Sequence, residues 1–343
     1  MEPILNTLFV MTQGAYLRLD HDTVKVEVEK QVKIQVPLMH LSGLVLFGDV
    51  LMSPFLMHKC AEEGRSVVFL GRGGRFKARL VGPTSGNILL RKAQYQMADD
   101  ENCLTSICRN IVAGKAQNCR SVVMRSARED TSGETSQRLK NTASELANAI
   151  RAIEETKDVH EIRGFEGIAA KSYFETFDLM IKANRESFIF RNRSRRPPRD
   201  RINALLSFIY TLLAGDCTSA LEGVGLDPQM GYLHAIRPGR NALALDLMEE
   251  FRPIIADRLT LSLINLRQIT PDDFEDRPGG AVYLNEKGRK TVVTEYQKKK
   301  QDEIQHSYLE RRAPLGVMPH LQARLLARRI RGDMDEYIPF VPR

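Results

Sequence analysis

The stretch Thr23-Val24-Lys25-Val26-Glu27-Val28-Glu29-Lys30-Gln31-Val32-Lys33-Ile34-Gln35-Val36 decides the fold. Val24, Val26 and Val28 alternate with Lys25, Glu27 and Glu29, and Val32, Ile34 and Val36 repeat the pattern after a short gap. Alternate side chains leave a strand on opposite faces, so β-branched residues at a period of two predict half-buried strands. Outward from this stretch, 44–47 and 66–70 are short continuous apolar runs. Between them Ser53 is placed to cap a short helix reaching about Glu63. Gly71, Gly73 and Gly74 mark a turn before a strand at 76–81, and Gly82-Pro83 breaks the next element.

From about Leu90 glycine thins and apolar spacing becomes helical. Helices are predicted over 110–128, 136–155, 163–182, 202–213, 242–266 (the longest) and 321–330. A hairpin around 285–288 and polar helices carrying Lys298-Lys299-Lys300 lie between, and the tail from Tyr337 reads as extended. The expected class is α+β. A β-rich domain with one short helix spans 1–90, and a larger all-α domain spans 91–343.

The 343 residues suit about two domains. With 43% apolar and 27% charged residues, the chain has the composition of a packed protein. Lys and Arg number 50 against 43 Asp and Glu, a net +7 that excludes an acidic solvating chain and permits an anionic partner. The charge is concentrated. Seven Arg against two acids lie in 185–201, six Arg and no acid in 311–331, and the rest of the chain is net −4. No apolar run reaches 18 residues and the N-terminus lacks signal-peptide character, so no membrane span and a cytoplasmic location are expected. Five cysteines without C-x-x-C spacing point to reduced thiols, with Cys217 buried and inert. Gly71-Arg72-Gly73-Gly74 lacks the G-K-[ST] of a phosphate loop.

Asp246 and Glu249 are three apart in the predicted 242–266 helix, which puts both carboxylates on one face amid Leu243, Ala244, Leu245, Leu247 and Met248. An unpaired inward acid is costly, so a solvated face shared with Glu250 and partnered by Arg252 or Arg258 is the alternative. His234 lies twelve residues upstream, and Arg237-Pro238-Gly239-Arg240 can turn the chain back onto the helix start. Glu166, between Gly164 and Gly167 at a predicted helix start, is either a ligand with room for close approach or an acid favoured by the helix dipole. Together Glu166, His234 and Glu249 make an O,N,O ligand set, with Asp246 adjacent. Such a set suits Mg²⁺ or, given the imidazole, Mn²⁺, and such an ion can activate a phosphodiester. Arg191, Arg193, Arg195, Arg196, Arg199 and Arg201 flank a stiffening Pro197-Pro198 and read as a DNA-backbone loop or a solvated basic linker. Arg237 and Arg240 join them as DNA-binding candidates. The basic stripe of Arg324, Arg328, Arg329 and Arg331 is a second tract.

The chain resembles the CRISPR-associated endonuclease/integrase family Cas-one, which acquires spacers. The likeness runs through Gly164-Phe165-Glu166-Gly167, Arg196-Pro197-Pro198-Arg199-Asp200-Arg201-Ile202-Asn203-Ala204-Leu205-Leu206-Ser207 and Gly225-Leu226-Asp227-Pro228. It continues through Gly231-Tyr232-Leu233-His234, Ala244-Leu245-Asp246-Leu247-Met248-Glu249, Phe251-Arg252-Pro253 and Asp257-Arg258. The flavour is similar to the type I-C branch. The resemblance implies metal ligands at Glu166, His234 and Glu249, the last an Asp in many members, and a neighbouring acid at Asp246. It implies a homodimer joined through the β domain and assembled with the small protein Cas-two. It also implies DNA integration, in which a prespacer 3′-hydroxyl attacks a CRISPR repeat end with Mn²⁺ or Mg²⁺ as cofactor. Two alternatives remain open on the residues: a non-catalytic DNA-binding scaffold and a branched-DNA repair nuclease.

Overall fold

The computed structural model describes residues 7–41, 43–72, 74, 76–82, 88–194 and 197–342. The turn residue Gly73, the breaker Pro83 and the candidate DNA-binding residues Arg195 and Arg196 lie outside them. The N-terminal region contains β1 (Thr7–Val10), β2 (Tyr16–Asp20), β3 (Thr23–Val28), β4 (Gln31–Pro37), β5 (Gly43–Phe47), β6 (Leu51–Met52), helix α1 (Pro54–Glu62), β7 (Ser66–Leu70) and β8 (Phe76–Leu80). They form two four-stranded sheets, ordered β4-β3-β2-β6 and β1-β5-β7-β8. Leu17, Val24 and Val26 of the first sheet pack with Leu44, Leu46 and Val67 of the second, closed by Leu56 and Cys60 of α1. Ser53 caps α1, accepting a hydrogen bond from the Leu56 N–H at 3.3 Å.

The alternation in β3 is borne out, but β4 is less buried than its sequence suggests. It is an edge strand paired only to β3, and Val32 and Ile34 remain 39% and 45% exposed. The continuous apolar runs have a different cause. Sheet β1-β5-β7-β8 is covered on both faces: Phe47 and Leu70 join the helical core, and Phe47 meets Phe208 at 6.1 Å between ring centroids. A strand covered on both sides has no polar face to alternate with.

The helical region begins with α2 (Ile88–Asp99) and α3 (Glu101–Glu129), followed by α4 (Gly133–Glu155), α5 (Val159–Glu175) and α6 (Arg201–Gly223). Next come α7 (Ala242–Phe251), a π-helical turn (Arg252–Asp257) and α8 (Arg258–Asn265), then α9 (Glu286–Gln301) and α10 (Met318–Ile330). The longest is α3 with 29 residues, not the 242–266 segment. There the helical path is continuous but takes a π turn at Pro253, which has no N–H to offer the helix ladder. The region is mostly rather than wholly helical. It carries two antiparallel ladders, β9 (Phe274–Arg277) with β10 (Ala281–Leu284) and β11 (Glu303–His306) with β12 (Arg311–Pro314). The expected hairpin turn is therefore displaced. The chain reverses before Ala281, and Asn285 instead caps α9 by accepting from the Gly288 N–H at 2.9 Å. Helix α6 is long and apolar enough to cross a membrane by length and composition, yet Ile202, Leu205, Leu206, Ile209, Leu213 and Leu221 are buried in the common core.

Asp257, at the end of the π turn, is fully buried and accepts from Tyr210 Oη at 2.7 Å and Tyr173 Oη at 3.0 Å. Burial pushes its carboxyl up to about 6, against hydrogen bonds from the two tyrosines that pull it down. An acid raised in the folded state favours folding while protonated, so stability is lost as pH climbs from 3.8 to about 6. Asp257→Asn should remove this dependence. Denaturant midpoints measured from acid to neutral pH should shift in the variant's favour by about 2–3 kcal/mol relative to the parent. A difference that stays constant with pH contradicts the assignment.

Candidate metal centre

Helix α7 sets the site. Asp246, Glu249 and Glu250 are buried, 0%, 1% and 0% exposed, which overturns the solvated-face alternative. They point in different directions and do different things. Asp246 grips the preceding loop. Its Oδ2 accepts from the N–H of Tyr232 at 2.6 Å and of Leu233 at 3.1 Å, and its Oδ1 accepts from the N–H of His234 at 2.9 Å. The same Oδ1 lies 2.7 Å from His234 Nδ1. Gly231 permits this approach, because a Cβ there would sit 2.7 Å from Ala242 Cβ and 2.8 Å from Asp246 Oδ2. With Nδ1 held by Asp246, His234 Nε2 faces Glu249 Oε1 at 3.6 Å. Asp246 is thus an orienting group whose lone pairs are already committed.

Glu166 lies within α5, in a helix that starts seven residues earlier at Val159, so the helix-dipole alternative falls. Open space surrounds Gly164 and Gly167, and neither makes a close backbone contact. Glu166 meets Glu249 through a residue the sequence reading missed. Lys115 Nζ of α3 lies 2.5 Å from Glu166 Oε1 and 2.7 Å from Glu249 Oε2. A signal existed, since Lys115 is the lone charge in Ile111-Val112-Ala113-Gly114-Lys115-Ala116. Arg252 is the expected partner, 3.1 Å from Glu249 Oε1, whereas no ion pair links Arg258 to these acids among the described residues. Arg252 also stacks on Tyr210 at 4.9 Å. Burial alone would raise Glu249, but Arg252, Lys115 and His234 outweigh it and hold its carboxyl down at about 2.

Two further supports escaped the sequence reading. Arg163 Nε donates to the Leu233 carbonyl at 2.9 Å. The buried Gln94 amide donates to the carbonyls of Asp227 and Met230 and accepts from the Asp227 N–H, fixing the loop that leads to His234.

The donor chemistry suits a divalent ion. Glu249 is buried, and the groups facing its oxygens are ionic: Lys115 at 2.7 Å from Oε2, Arg252 at 3.1 Å from Oε1, and the His234 ring at 3.6 Å. A buried, ionised carboxylate beside an oriented imidazole and a second carboxylate is a ligand set for a hard or borderline cation. Among the described residues no three such groups already converge at ligating distance, because Lys115 stands between Glu166 and Glu249.

The arginines divide. Arg193 turns inward, donating to Asn203 Oδ1 at 2.5 Å and to Ser207 Oγ and packing over Tyr210 at 5.3 Å. Arg201 donates to the Ser187 carbonyl at 2.9 Å. These two fasten the loop rather than face outward, because buried acceptors there need donors. Arg191, Arg199 and Arg237 are exposed and Arg240 is half-buried, with Arg199 also touching the Gly279 carbonyl.

The family model for CRISPR associated protein Cas1 matches residues 8–298. The chain belongs to the Cas1 family. Its activity is that of the endonuclease and integrase of CRISPR adaptation. It is 55% identical to the CRISPR-associated endonuclease Cas1 1 of Moorella thermoacetica, over 100% of both chains. Its fold matches a casposase bound to integration product at a TM-score of 0.84 and 22% identity, covering 97% of this chain and 93% of that one. It also matches a chain of a Cas6-RT-Cas1–Cas2 complex at 0.83 and 23% identity, covering 99% of this chain and 36% of that one. The expected α+β order, strands first and helices after, is thereby borne out, with the second region mostly helical where all-α was expected.

Proposed function

We propose that Glu166, His234 and Glu249 hold a catalytic Mn²⁺ or Mg²⁺ at which this enzyme cuts DNA and joins prespacer 3′-hydroxyl ends to the CRISPR repeat. The observation carrying this reading is Glu249, a buried carboxylate kept ionised by Arg252, Lys115 and His234 around it. When bound, the ion supplies the charge that polarises a phosphodiester and acidifies an attacking hydroxyl or water. Asp246 keeps the His234 Nε2 aimed at Glu249. Arg252 and Lys115 leave positive charge beside the carboxylates, which favours an approaching phosphate. Exposed Arg191, Arg199 and Arg237, with Arg240, hold the DNA backbone. The Cas1–Cas2 relative supports Cas2 as the assembly partner. The edge strand β4 with its exposed Val32 and Ile34 supports a homodimer formed through residues 1–90, with 91–343 as the catalytic domain. DNA as substrate favours the cytoplasm, and the type I-C-like assignment rests on the resemblance in sequence.

The test is strand transfer of a prespacer oligonucleotide into repeat DNA by the protein with its Cas2. Addition of EDTA should abolish product, and Mn²⁺ in excess should restore it. Arg191→Glu with Arg237→Glu should weaken DNA binding and flatten its salt dependence. Salt-dependent binding with no metal-dependent product identifies a scaffold instead. Cleavage of branched DNA without any transfer identifies a repair nuclease.

A further inference from the structure

The site already contains two cations, and they are held differently. Arg252 is fixed by its place three residues from Glu249 on the same helical path and by stacking on Tyr210. Among the described residues the ion-pair partners of Lys115 are Glu166 and Glu249, and its side chain retains 12% exposure at the end of an unbranched stem. An ammonium on such a stem is a compact charge that can withdraw, whereas a stacked guanidinium cannot without losing its contacts. A divalent ion taking both carboxylates uses lone pairs that Lys115 already occupies, and it meets the ammonium at contact distance. A buried carboxylate such as Glu249, with the 28% exposed Glu166 close by, is strongly destabilised without either cation.

We infer that Lys115 is a resident counter-ion of this site: it holds Glu166 and Glu249 together, and a divalent ion displaces it to bind both. This rests on the metal-centre reading above. Lys115 therefore sets the metal affinity, and a site left without ion stays folded because the ammonium remains. Once displaced, the ammonium stays within reach of the site and adds positive charge where phosphate arrives.

Calorimetric titration of Mn²⁺ into the full chain, paired with melting curves with and without Mn²⁺, tests this. Lys115→Met should bind Mn²⁺ at least about tenfold more tightly than wild type, melt lower without metal and gain more from its addition. Lys115→Arg, which places a fork that cannot withdraw, should bind more weakly. Equal or weaker binding by Lys115→Met overturns the inference. Should that variant fold only with Mn²⁺ present, the dependence itself supports the inference; should it not fold at all, Lys115→Gln supplies the affinity comparison on the same terms. His234→Ala separates the two readings. Loss of Mn²⁺ binding in His234→Ala with unchanged affinity in Lys115→Met sinks only the role of Lys115, whereas unchanged binding in His234→Ala sinks the metal centre and the inference with it.

Discussion

His234→Ala and Asp246→Ala should both silence metal-dependent DNA cleavage, and only the second should also unfold the site. His234 is a loop residue whose side chain is 20% exposed. Its removal leaves Asp246 with the N–H groups of Tyr232, Leu233 and His234, so the loop keeps its shape. Stability should change by less than about 1 kcal/mol, while activity drops at least about 10³-fold, since one ligand and the group facing Glu249 are lost. Asp246→Ala leaves three backbone donors with no acceptor in an interior that Gly231 packs tightly against α7. Unsatisfied buried donors cost roughly 1–3 kcal/mol each, so a loss of about 4 kcal/mol is expected, with activity down about 100-fold or more as the imidazole loses its orientation. Urea midpoints and initial cleavage rates at saturating Mn²⁺ read both quantities. Equal stability of the two variants removes Asp246 from the orienting role and returns it to the candidate ligands.

The C-terminal tail is the second place where a large effect is expected. Deleting residues 337–343 should destabilise the protein by about 5 kcal/mol, a sizeable share of what a folded protein has. Tyr337 and Phe340 are buried, Phe340 stacks on Phe251 at 5.3 Å, and a Cβ on Gly114 would stand 2.5 Å from Pro339. The tail also serves Glu250. Tyr337 Oη and the Phe340 N–H donate to its carboxylate, with Gln322 Nε2 at 2.9 Å. Burial pushes Glu250 up to about 7 even with these donors, and the deletion removes two of the three, leaving a buried acid beside Glu249 with Gln322 alone of these donors. Phe340→Ala is the milder form, expected to cost about 3–4 kcal/mol. Activity should fall with stability in both, because Asn118 Nδ2 ties the Glu250 and Phe340 carbonyls together at 2.8 Å each, next to the site. A truncated chain with the parent's denaturant midpoint and cleavage rate would show that the tail merely rests on the surface.

How much of this was legible beforehand depends on where the determining contacts lie. The β3 alternation, the Ser53 cap and the shift to helices near residue 90 are local matters of side-chain period and capping, and they are readable along the chain. The candidate ligands were readable too, because two glutamates on helices and a histidine on the loop before the second helix each sit in a short local motif. The edge exposure of β4 was not, because it depends on which strand lies beside it.

By itself, then, the sequence determined the strand-rich-then-helical layout, the family and the three ligand candidates, since each depends on residues close in the chain or on residue type. Only the tertiary structure separated Asp246 from Glu249, three residues apart on one helix: one carboxylate closes on a loop while the other meets Lys115, Arg252 and His234. It alone turned Arg193 and Arg201 inward and brought Lys115 from α3 between two acids distant in the chain. A side chain's role in a site depends on which charges and donors burial brings within a few ångströms of it, and that neighbourhood is composed of segments whose spacing along the chain carries no record of their meeting.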